Sequence, residues 1–454
     1  MKKLIYILLA CVALIFSSCS NNKKPLLNQQ LETKMNKISE AYVKLILRIG
    51  QYDPDYVDAY YGPAEWKPKE ISDAEFDSLV FKDLDGKINN LLDGLDSLSK
   101  YKASDIEILR YSFLYKQMLA AKAKLFLLRG GTLTFDEETK ALYDAKAPHF
   151  SPDHFQNIID QLDKLLPGKG DIEIRWEKFR KNFIIPKDKI SSVFNAAINE
   201  CRKRTLDHIQ LPAGENFKVE YVTDKPWGGY NWYKGNSFSL IQVNTDLPIY
   251  IDRAVDIAAH EGYPGHHVYN SLLEKHLVKD LGWMEFTIYP LFSPQSLIAE
   301  GTANFGIKVA FPGNSRVEFE KKILFPLAGL DTSKADLYYK VLDLTKDLDY
   351  AVNEAARSYL DGKSDKGETV SYLMKYGLMS KERAEHMLRF IEKYRSYVIN
   401  YNLGQDLIRS YVIRKGGTND NPELRWKIFA YLLSTPQTPS GLKNAINQMN
   451  KSEN

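Results

Sequence analysis

The chain has 454 residues and a formal net charge of +3, and 44% of its residues are hydrophobic. It is long enough to bury a large core, but it lacks the concentrated positive charge that nucleic-acid binding requires, so we expect no nucleic-acid partner. Two of its three cysteines, Cys11 and Cys19, lie in the N-terminal segment, which leaves Cys201 as the one ordinary thiol. A disulfide framework within one chain is therefore excluded.

The N-terminus has the pattern of a bacterial lipoprotein signal. Met1-Lys2-Lys3 precedes an apolar run over residues 4–16, and Ser17-Ser18-Cys19 follows that run. The run is too short for a lasting transmembrane helix. We therefore predict a signal peptide over residues 1–18 and a lipid on the thiol of Cys19. The lipid would anchor an exported protein to a membrane, in the periplasm or at the cell surface. A plain secretory signal is the alternative.

Residues 19–33 are polar and unpatterned, which predicts a tether between the membrane and a folded domain. From residue 34 to residue 454 the sequence contains no internal repeat and no linker rich in Pro, Gly and Ser. This favours a single mainly α domain, a large helical body with one lobe over about 34–209 and a second over about 210–454.

The first lobe is helical in pattern. Ser104-Asp105-Ile106-Glu107 has the form of a capping box, and Thr134-Phe135-Asp136-Glu137 opens another helix. We predict a shorter helix over residues 153–166, which Pro167-Gly168 ends, and a long amphipathic helix over residues 186–209.

The pattern changes after residue 214. Residues 217–223, 229–233 and 237–245 are short, alternate between apolar and polar, and are rich in Val, Tyr and Phe. These features predict a small antiparallel sheet directly before the next helix.

That next helix ends in His260-Glu261-Gly262-Tyr263-Pro264-Gly265-His266-His267. Two histidines four residues apart on a regular helix can share a zinc ion, but here Pro264 occupies the fourth position after His260. Pro264 and Gly265 predict that the helix widens or breaks, which could bring a later histidine back towards His260. The alternative is that these histidines only end a core helix. Because burying so many polar groups without partners is costly, we predict a metal site.

A later helix supplies a candidate third ligand. Ser293-Pro294 predicts its start, and Glu300 is the one charged residue between Gln295 and Phe305. A carboxylate buried among apolar side chains needs a cation, and two histidines, one glutamate and water form a catalytic zinc set. An exposed helix carboxylate is the alternative.

The motif resembles the H-E-x-x-P-G-H signature of the family called domain of unknown function 885 (DUF885), bacterial proteins grouped with zinc metallopeptidases related to the gluzincins. A second motif of that family, Glu-Gly-x-Ala, is similar to Glu300-Gly301-Thr302-Ala303. The resemblance implies a helical zinc-peptidase-like fold and one zinc ion. It implies that His260, His266 and Glu300 are the ligands, so that His266 and not His267 is the second histidine ligand. Glu261 would then be the general base.

The chain departs from the family pattern at three positions. Tyr269 stands where the family often has Gln, Thr302 where it has an aromatic residue, and Ile307 where it has Glu. These differences affect the expected substrate preference more than the ligand set.

The C-terminal part is helical in pattern. We predict one long helix over residues 341–360, another over 368–376, and a third marked by Ala384, Leu388 and Ile391. Tyr397, Tyr401 and Gly404-Gln405 are similar to the family's C-terminal segment of tyrosine and glycine. The resemblance implies that Tyr401, or less favourably Tyr397, donates to the developing oxyanion. Packing of these tyrosines within a helix is the alternative.

Other candidates lie around the motif. Asp256, one turn before His260, could orient the second ring nitrogen of that histidine, or could be exposed to solvent. In gluzincin-like enzymes an edge strand beside the zinc binds an extended peptide substrate. This implies a set of aromatic substrate-binding candidates, whose alternative role is packing under a hairpin: Trp227, Tyr230, Trp232 and Tyr233.

Three functions are compatible with these residues. The first is an exported zinc metallopeptidase that acts on peptides. The second keeps the zinc but hydrolyses another amide or an ester. The third is a metal-binding lipoprotein without turnover. Glu261 argues against the third, because a structural zinc site needs no additional carboxylate.

Overall fold

The computed structural model describes residues 28–69 and 78–452. The prediction of a mainly α fold is confirmed, since the structure is 69% helical with small sheets. The predicted signal peptide and Cys19 lie outside the described residues. The helices that precede the sheet are α1 (Gln29–Ile49), α2 (Ser78–Asp96), α3 (Asp105–Leu128), α4 (Phe135–Tyr143), α5 (Pro152–Leu165), α6 (Ile172–Arg180) and α7 (Ile190–Leu206).

Several of these helices begin where side chains satisfy their first free N–H groups. Ser104 and Glu107 form the predicted capping box before α3, and Thr134 and Glu137 form another before α4. Asn28 caps α1 through its side chain. Because α1 begins at Gln29, the last five residues of the predicted tether are helical.

Two small sheets lie among the helices. β1 (Val57–Tyr60) pairs antiparallel with β5 (Ile288–Pro290). The other sheet contains β2 (Asn216–Val222), β3 (Gly229–Tyr233) and β4 (Phe238–Asn244), in the order β2-β4-β3.

The prediction that this three-stranded sheet is antiparallel is wrong for one pair. β3 and β4 form an antiparallel hairpin, from Gly229 opposite Val243 to Tyr233 opposite Ser239. β2 pairs parallel with β4, from Asn216 opposite Phe238 to Val222 opposite Asn244. Strand patterns predict the strands but not their neighbours, and the loop after β2 crosses to the far side of β4. β3 is consequently an edge strand.

The helices after the sheet surround the candidate site. They are α8 (Ile251–Ile257), α9 (His266–Leu273), α10 (Pro294–Ala310), α11 (Ser315–Phe319), α12 (Phe325–Ala328), α13 (Ala335–Thr345), α14 (Tyr350–Leu360), α15 (Lys366–Tyr376), α16 (Lys381–Tyr394), α17 (Ile399–Arg414), α18 (Pro422–Ser434) and α19 (Pro439–Ser452). The single helix predicted over residues 341–360 is wrong, because a tighter 3₁₀ turn over Lys346–Leu348 separates α13 from α14.

Buried hydrophobic side chains form two clusters. One cluster joins residues of 31–147 with residues of 288–297 and 355–399. The other draws mainly on residues 155–351 and 408–442. The second half of the chain therefore contributes to both clusters, and the packing does not follow a boundary near residue 210.

Within the described part of the chain, no helix has the length and apolar character that crossing a membrane requires.

Candidate metal centre

The helix that carries the histidine motif widens at the predicted position. α8 continues into a π-helical turn over Ala258–Gly262, in which the N–H of Tyr263 donates to the carbonyl of Ala258 at 3.1 Å. The N–H of Gly265 donates to the carbonyl of Ala259 at 2.9 Å. A Cβ atom at Gly265 would lie 1.9 Å from the carbonyl oxygen of His260, so the close approach requires glycine. This turn brings His266, the first residue of α9, beside His260.

Three potential ligand side chains converge after this turn. The Nε2 atoms of His260 and His266 are 3.1 Å apart. Oε2 of Glu300, from α10, lies 3.1 Å from Nε2 of His260, and Oε1 lies 3.7 Å from Nε2 of His266. Donor atoms bound tetrahedrally to one zinc ion at their usual bond lengths lie about 3.3 Å apart. The spacing of these three side chains therefore fits a single zinc ion.

The environment of Glu300 also fits a cation. Its side chain is buried, and Oε1 accepts a hydrogen bond of 2.8 Å from the hydroxyl of Tyr397. Oε2 is buried and accepts no hydrogen bond from the described residues, among which its ion-pair contact is with the imidazole of His260. Burial alone would raise the pKa of Glu300, but the charge of His266 and the contact with His260 hold it well below its ordinary value. An ionised, incompletely satisfied buried carboxylate is a favourable metal ligand.

His260, in the π-helical turn after α8, lies next to two negatively charged side chains. Burial alone would lower the pKa of His260, but the negative charges of Glu261 and Glu300 raise it to about 9. The carboxylates thus attract positive charge to this position. A bound metal ion would supply that charge in place of the proton.

Asn304 orients His260, a role that sequence reasoning missed. The amide nitrogen of Asn304 donates to the carbonyl of Tyr401 at 2.9 Å, so its oxygen faces Nδ1 of His260, also at 2.9 Å. With its proton on Nδ1, His260 presents a lone pair on Nε2. Asn304 lies four residues after Glu300 on α10, and this helical spacing was the signal that could have identified it.

The predicted role of Asp256 in orienting His260 is wrong. Its carboxylate pairs with Nη1 of Arg316 at 2.7 Å and with Nη1 of Arg253 at 3.2 Å. Although burial would raise the pKa of Asp256, the charges of Arg316 and Arg253 lower it to about 2. The proximity along the helix suggested His260 as its partner, but the guanidinium of Arg316, from a distant helix, attracts the carboxylate more strongly.

His267 is turned away from the cluster. Its Nε2 lies 3.0 Å from a carboxylate oxygen of Glu215, and its Nδ1 lies 2.9 Å from the hydroxyl of Ser239. The hydroxyl of Tyr263 donates to the same carboxylate at 2.6 Å. Glu215 thereby connects two motif residues to the chain before β2. The geometry places His266, and not His267, among the potential ligands.

Glu261 lies in the cleft beside the cluster. Its side chain is 6% exposed, and its carboxylate forms no hydrogen bond or ion pair with the described residues. Its main-chain carbonyl accepts a hydrogen bond of 2.6 Å from the Asn231 side chain on β3. Burial raises the pKa of Glu261, although the charges of His260 and His266 oppose this rise. The carboxylate of Glu261 therefore lies beside the metal cluster and receives no hydrogen bond from the described residues, so it can accept a proton as a general base must.

The two candidate tyrosines have different surroundings. Tyr397 is buried and donates to Glu300. Tyr401, in α17, is 37% exposed in the cleft, and its hydroxyl makes no hydrogen bond within the described residues. Loss of solvent and the negative charges of Glu300 and Glu261 raise the pKa of Tyr401 well above its ordinary value. Tyr401 therefore keeps its proton and can donate a hydrogen bond.

The aromatic residues around β3 divide into two groups. A cleft of about 1080 Å³ contains the metal cluster, and its wall includes Trp227, Tyr230 and Tyr233. Trp232 is not part of that wall and donates to the Gln242 side chain at 3.0 Å, so the expectation that it lines a subsite is wrong. Trp232 lies two residues after Tyr230 on the same face of β3, and the two rings pack together with their centres 4.6 Å apart.

Two of the wall tyrosines also have carboxylate partners. The hydroxyl of Tyr233 donates to Glu274, so only the ring of Tyr233 is available to a ligand in the cleft. The hydroxyl of Tyr230 donates to Asp58 of β1, a cleft residue for which the sequence offered no local signal. Burial raises the pKa of Asp58 to about 6, although the Tyr230 hydrogen bond opposes the rise.

No protein-family model and no curated protein matches the sequence. Among solved structures, one described as "the putative lipoprotein from Colwellia psychrerythraea" is 14% identical, with a TM-score of 0.50. The match covers 80% of this chain and 66% of that one, so the chain spans less than two thirds of its length. A likeness at this identity concerns the fold alone.

The M32 carboxypeptidase from Deinococcus radiodurans R1 is 12% identical, with a TM-score of 0.35 over 93% of this chain and 98% of that chain. Its overall geometry is too different to support an argument about the site. The candidate metal centre therefore stands on the contacts of the chain's own residues.

Proposed function

We propose that this protein is a zinc-dependent hydrolase that cleaves peptide bonds. The observation that carries the proposal is the convergence of His260, His266 and the buried, incompletely satisfied Glu300 beside the free carboxylate of Glu261. Three protein ligands with one open position are typical of catalytic zinc, whereas structural zinc is closed by a fourth protein ligand.

The chain's residues would hold the metal and orient its ligands. His260, His266 and Glu300 supply the ligand atoms, while Asn304 and Tyr397 fix the orientation of His260 and Glu300. Bound zinc would polarise a substrate carbonyl and lower the pKa of a water molecule.

The proton transfers belong to Glu261. Its carboxylate accepts a proton from the attacking water and delivers it to the leaving amine. The burial that raises its pKa strengthens it as a proton acceptor. Tyr401, whose hydroxyl has no partner among the described residues, donates to the oxygen that becomes negative in the transition state.

The cleft supports a peptide as the substrate. β3 is an edge strand whose Gly229 lies against Glu261, since a Cβ atom there would be 3.0 Å from the carboxylate oxygen of Glu261. An extended peptide could pair with such an edge and pass the metal site, with Trp227 and Tyr230 contacting its side chains.

Export and anchoring are part of the proposal. The sequence pattern around Cys19 indicates a lipid-anchored protein in the periplasm or on the cell surface, and the structural likeness to a chain described as a lipoprotein is compatible with it. Membership of DUF885 rests on the two motifs and is likewise proposed.

The test combines metal content with hydrolysis. We expect about one zinc ion per chain by mass spectrometry and cleavage of a mixed peptide library by the wild-type protein. Glu261→Gln should retain the metal and lose roughly 10²–10⁴-fold in rate, the usual contribution of a general base.

A matched control is Glu318→Gln, which makes the same change in α11, outside the cleft wall. Its rate should equal that of the wild type. Metal without any cleavage that depends on Glu261 would contradict the peptidase proposal and favour a non-peptide substrate or a metal-binding protein without turnover. Absence of metal would contradict all three functions.

A further inference from the structure

A second group of charged residues lies in the same cleft, away from the metal cluster. Arg180, at the end of α6, and Arg383, in α16, approach the ring of Tyr250. Their guanidinium carbons lie 3.9 Å and 5.3 Å from the ring centre, respectively. All three residues line the cleft. The guanidinium groups of Arg180 and Arg383 therefore both lie near the Tyr250 ring, in a cleft that a ligand can enter.

These guanidinium groups have donors without partners. Nη1 of Arg180 contacts Glu177 at 3.3 Å, but its Nε is buried and has no hydrogen-bond partner among the described residues. Arg383 forms no ion pair within that part of the chain, and the one hydrogen bond of its guanidinium there is a long contact of 3.4 Å to the carbonyl of Pro248. Burial and the charge of Arg180 lower the pKa of Arg383.

Nearby carboxylates are already engaged. Asp256 is held by Arg253 and Arg316. Asp252 accepts a hydrogen bond of 2.6 Å from the hydroxyl of Tyr338. Neither of these acids forms an ion pair with Arg383. An anion from outside the chain would therefore relieve the repulsion between Arg180 and Arg383 and would use their free donors.

The distance between the arginine pair and His260 can be derived from α8, which connects Tyr250 to the histidine motif. Tyr250 directly precedes α8, and His260 lies ten residues later, a rise of about 15 Å along a helix. An extended peptide advances about 3.3 Å per residue, so four or five residues span that distance. Arg383, Met387 and Phe390 of α16 also line the cleft. The ring of Phe390 lies 6.2 Å from the ring of Tyr401, so α16 contacts the candidate oxyanion donor as well as Tyr250.

We infer that Arg180, Arg383 and Tyr250 form a subsite for a carboxylate of the substrate, four or five residues from the bond that is cleaved. The inference rests on the proposed peptidase function and defines its substrate class as peptides with a negative group at that distance. The carboxylate can be an Asp or Glu side chain or the C-terminus of the peptide, since guanidinium groups bind each of them in the same way.

Binding to the Glu261→Gln protein tests the subsite without turnover. The probes are fluorescent neutral decapeptides with an amidated C-terminus, a series in which Glu replaces Gln at one position at a time, and free-acid versions of stepwise shorter length. Mass spectrometry of wild-type digests gives the cleaved bond and hence the register.

We expect Glu at one register, four or five residues from the cleaved bond, to lower Kd by about tenfold or more relative to Gln. A free C-terminus at the same distance should reproduce the gain if the terminus is the natural ligand. Arg383→Gln should abolish this ratio. Arg389→Gln, an exposed arginine of the same helix outside the cleft wall, should preserve it.

The Kd values for the Glu and the Gln peptide are compared on the same protein. Because a general loss of binding affects both values equally, a destabilised Arg383→Gln protein still gives a decisive result. Equal Kd values for Glu and Gln peptides at every register, with neutral peptides bound and cleaved, would overturn the subsite and leave the proposed function intact. A gain that persists in Arg383→Gln would also overturn it. If no peptide is bound or cleaved, the proposed function itself fails.

Discussion

Gly301 of α10 and Gly404 of α17 lie in direct backbone contact. A Cβ atom at Gly301 would be 2.5 Å from the carbonyl carbon and oxygen of Gly404, and one at Gly404 would be 2.6 Å from the carbonyl of Leu297. This contact joins the helix that carries Glu300 to the helix that carries Tyr401. The distance between the candidate metal ligand and the candidate oxyanion donor is therefore set by two residues without side chains.

Gly404→Ala should separate these helices. The methyl group has no space, so we expect the free energy of unfolding to fall by about 1–3 kcal/mol, as for overpacked cores. The hydrolysis rate should also fall under conditions where the variant is fully folded, because the shift moves Glu300 relative to Tyr401. Urea denaturation and hydrolysis rates measure the two effects.

Gly86→Ala is the control for this change. Gly86 is an exposed residue within α2, and a Cβ atom there would meet nothing within 4 Å. This substitution should stabilise the protein by about 0.5–1 kcal/mol, since alanine favours the helix. Equal effects of the two substitutions would show that the helix contact is not tight.

Tyr397→Phe removes the one hydrogen bond that a described residue donates to Glu300. The ring still fills its space, so the fold should persist. Because such supporting contacts hold a ligand in place, we expect zinc affinity to fall by about 10–100-fold. Competition with a chelator measures this loss. Tyr411→Phe, the same change in α17, should leave zinc affinity unchanged, and a similar loss there would contradict the role of Tyr397.

The sequence predicted the parts of the site that short-range chemistry controls. Pro264 and Gly265 predicted the widening of the helix, and the apolar surroundings of Glu300 predicted its burial. The family resemblance favoured His266, and the geometry brings that residue to His260. These features depend on a few neighbouring residues, whose steric and solvation requirements can be read directly.

Apart from Glu300, the partners that are distant in sequence were not predicted. Asp256 forms an ion pair with Arg316 and not a contact with His260, and His267 contacts Glu215. The parallel pairing of β2 with β4 likewise depends on the path of a loop rather than on a strand pattern. In each case several partners satisfy the same local chemistry, and the tertiary fold selects one of them.

The two adjacent histidines should differ in their effects on metal binding. His266→Gln removes a proposed ligand, so the loss of zinc affinity should exceed the roughly 10–100-fold that a supporting contact costs. His267→Gln should retain zinc but destabilise the fold, because His267 is fully buried against Glu215 and Ser239. Zinc titration and thermal denaturation of both variants separate affinity from stability. Loss of zinc in His267→Gln with a normal Tm would reverse the assignment.

Asp256→Asn should weaken the fold at neutral pH and leave zinc affinity unchanged. The folded pKa of Asp256 is about 2, because the charges of Arg316 and Arg253 outweigh the effect of burial, while an unfolded aspartate titrates near roughly 3.9. Since the folded pKa is the lower one, the charged form stabilises the folded protein at every pH above about 4. This linkage corresponds to about 2–3 kcal/mol.

The pH dependence of Asp256→Asn provides the decisive comparison. As the pH falls from about 4 to about 2, Asp256 takes up a proton and its contribution disappears, so wild type and variant should converge in their free energy of unfolding. Asp336→Asn removes the exposed partner of Lys321 and should change little at either pH, because solvent screens such pairs. A difference between wild type and Asp256→Asn that is as large at pH 2 as at pH 7 would show that packing, rather than the ion pair with Arg316, accounts for the loss. Reduced zinc affinity in Asp256→Asn would instead restore a role for this carboxylate at His260.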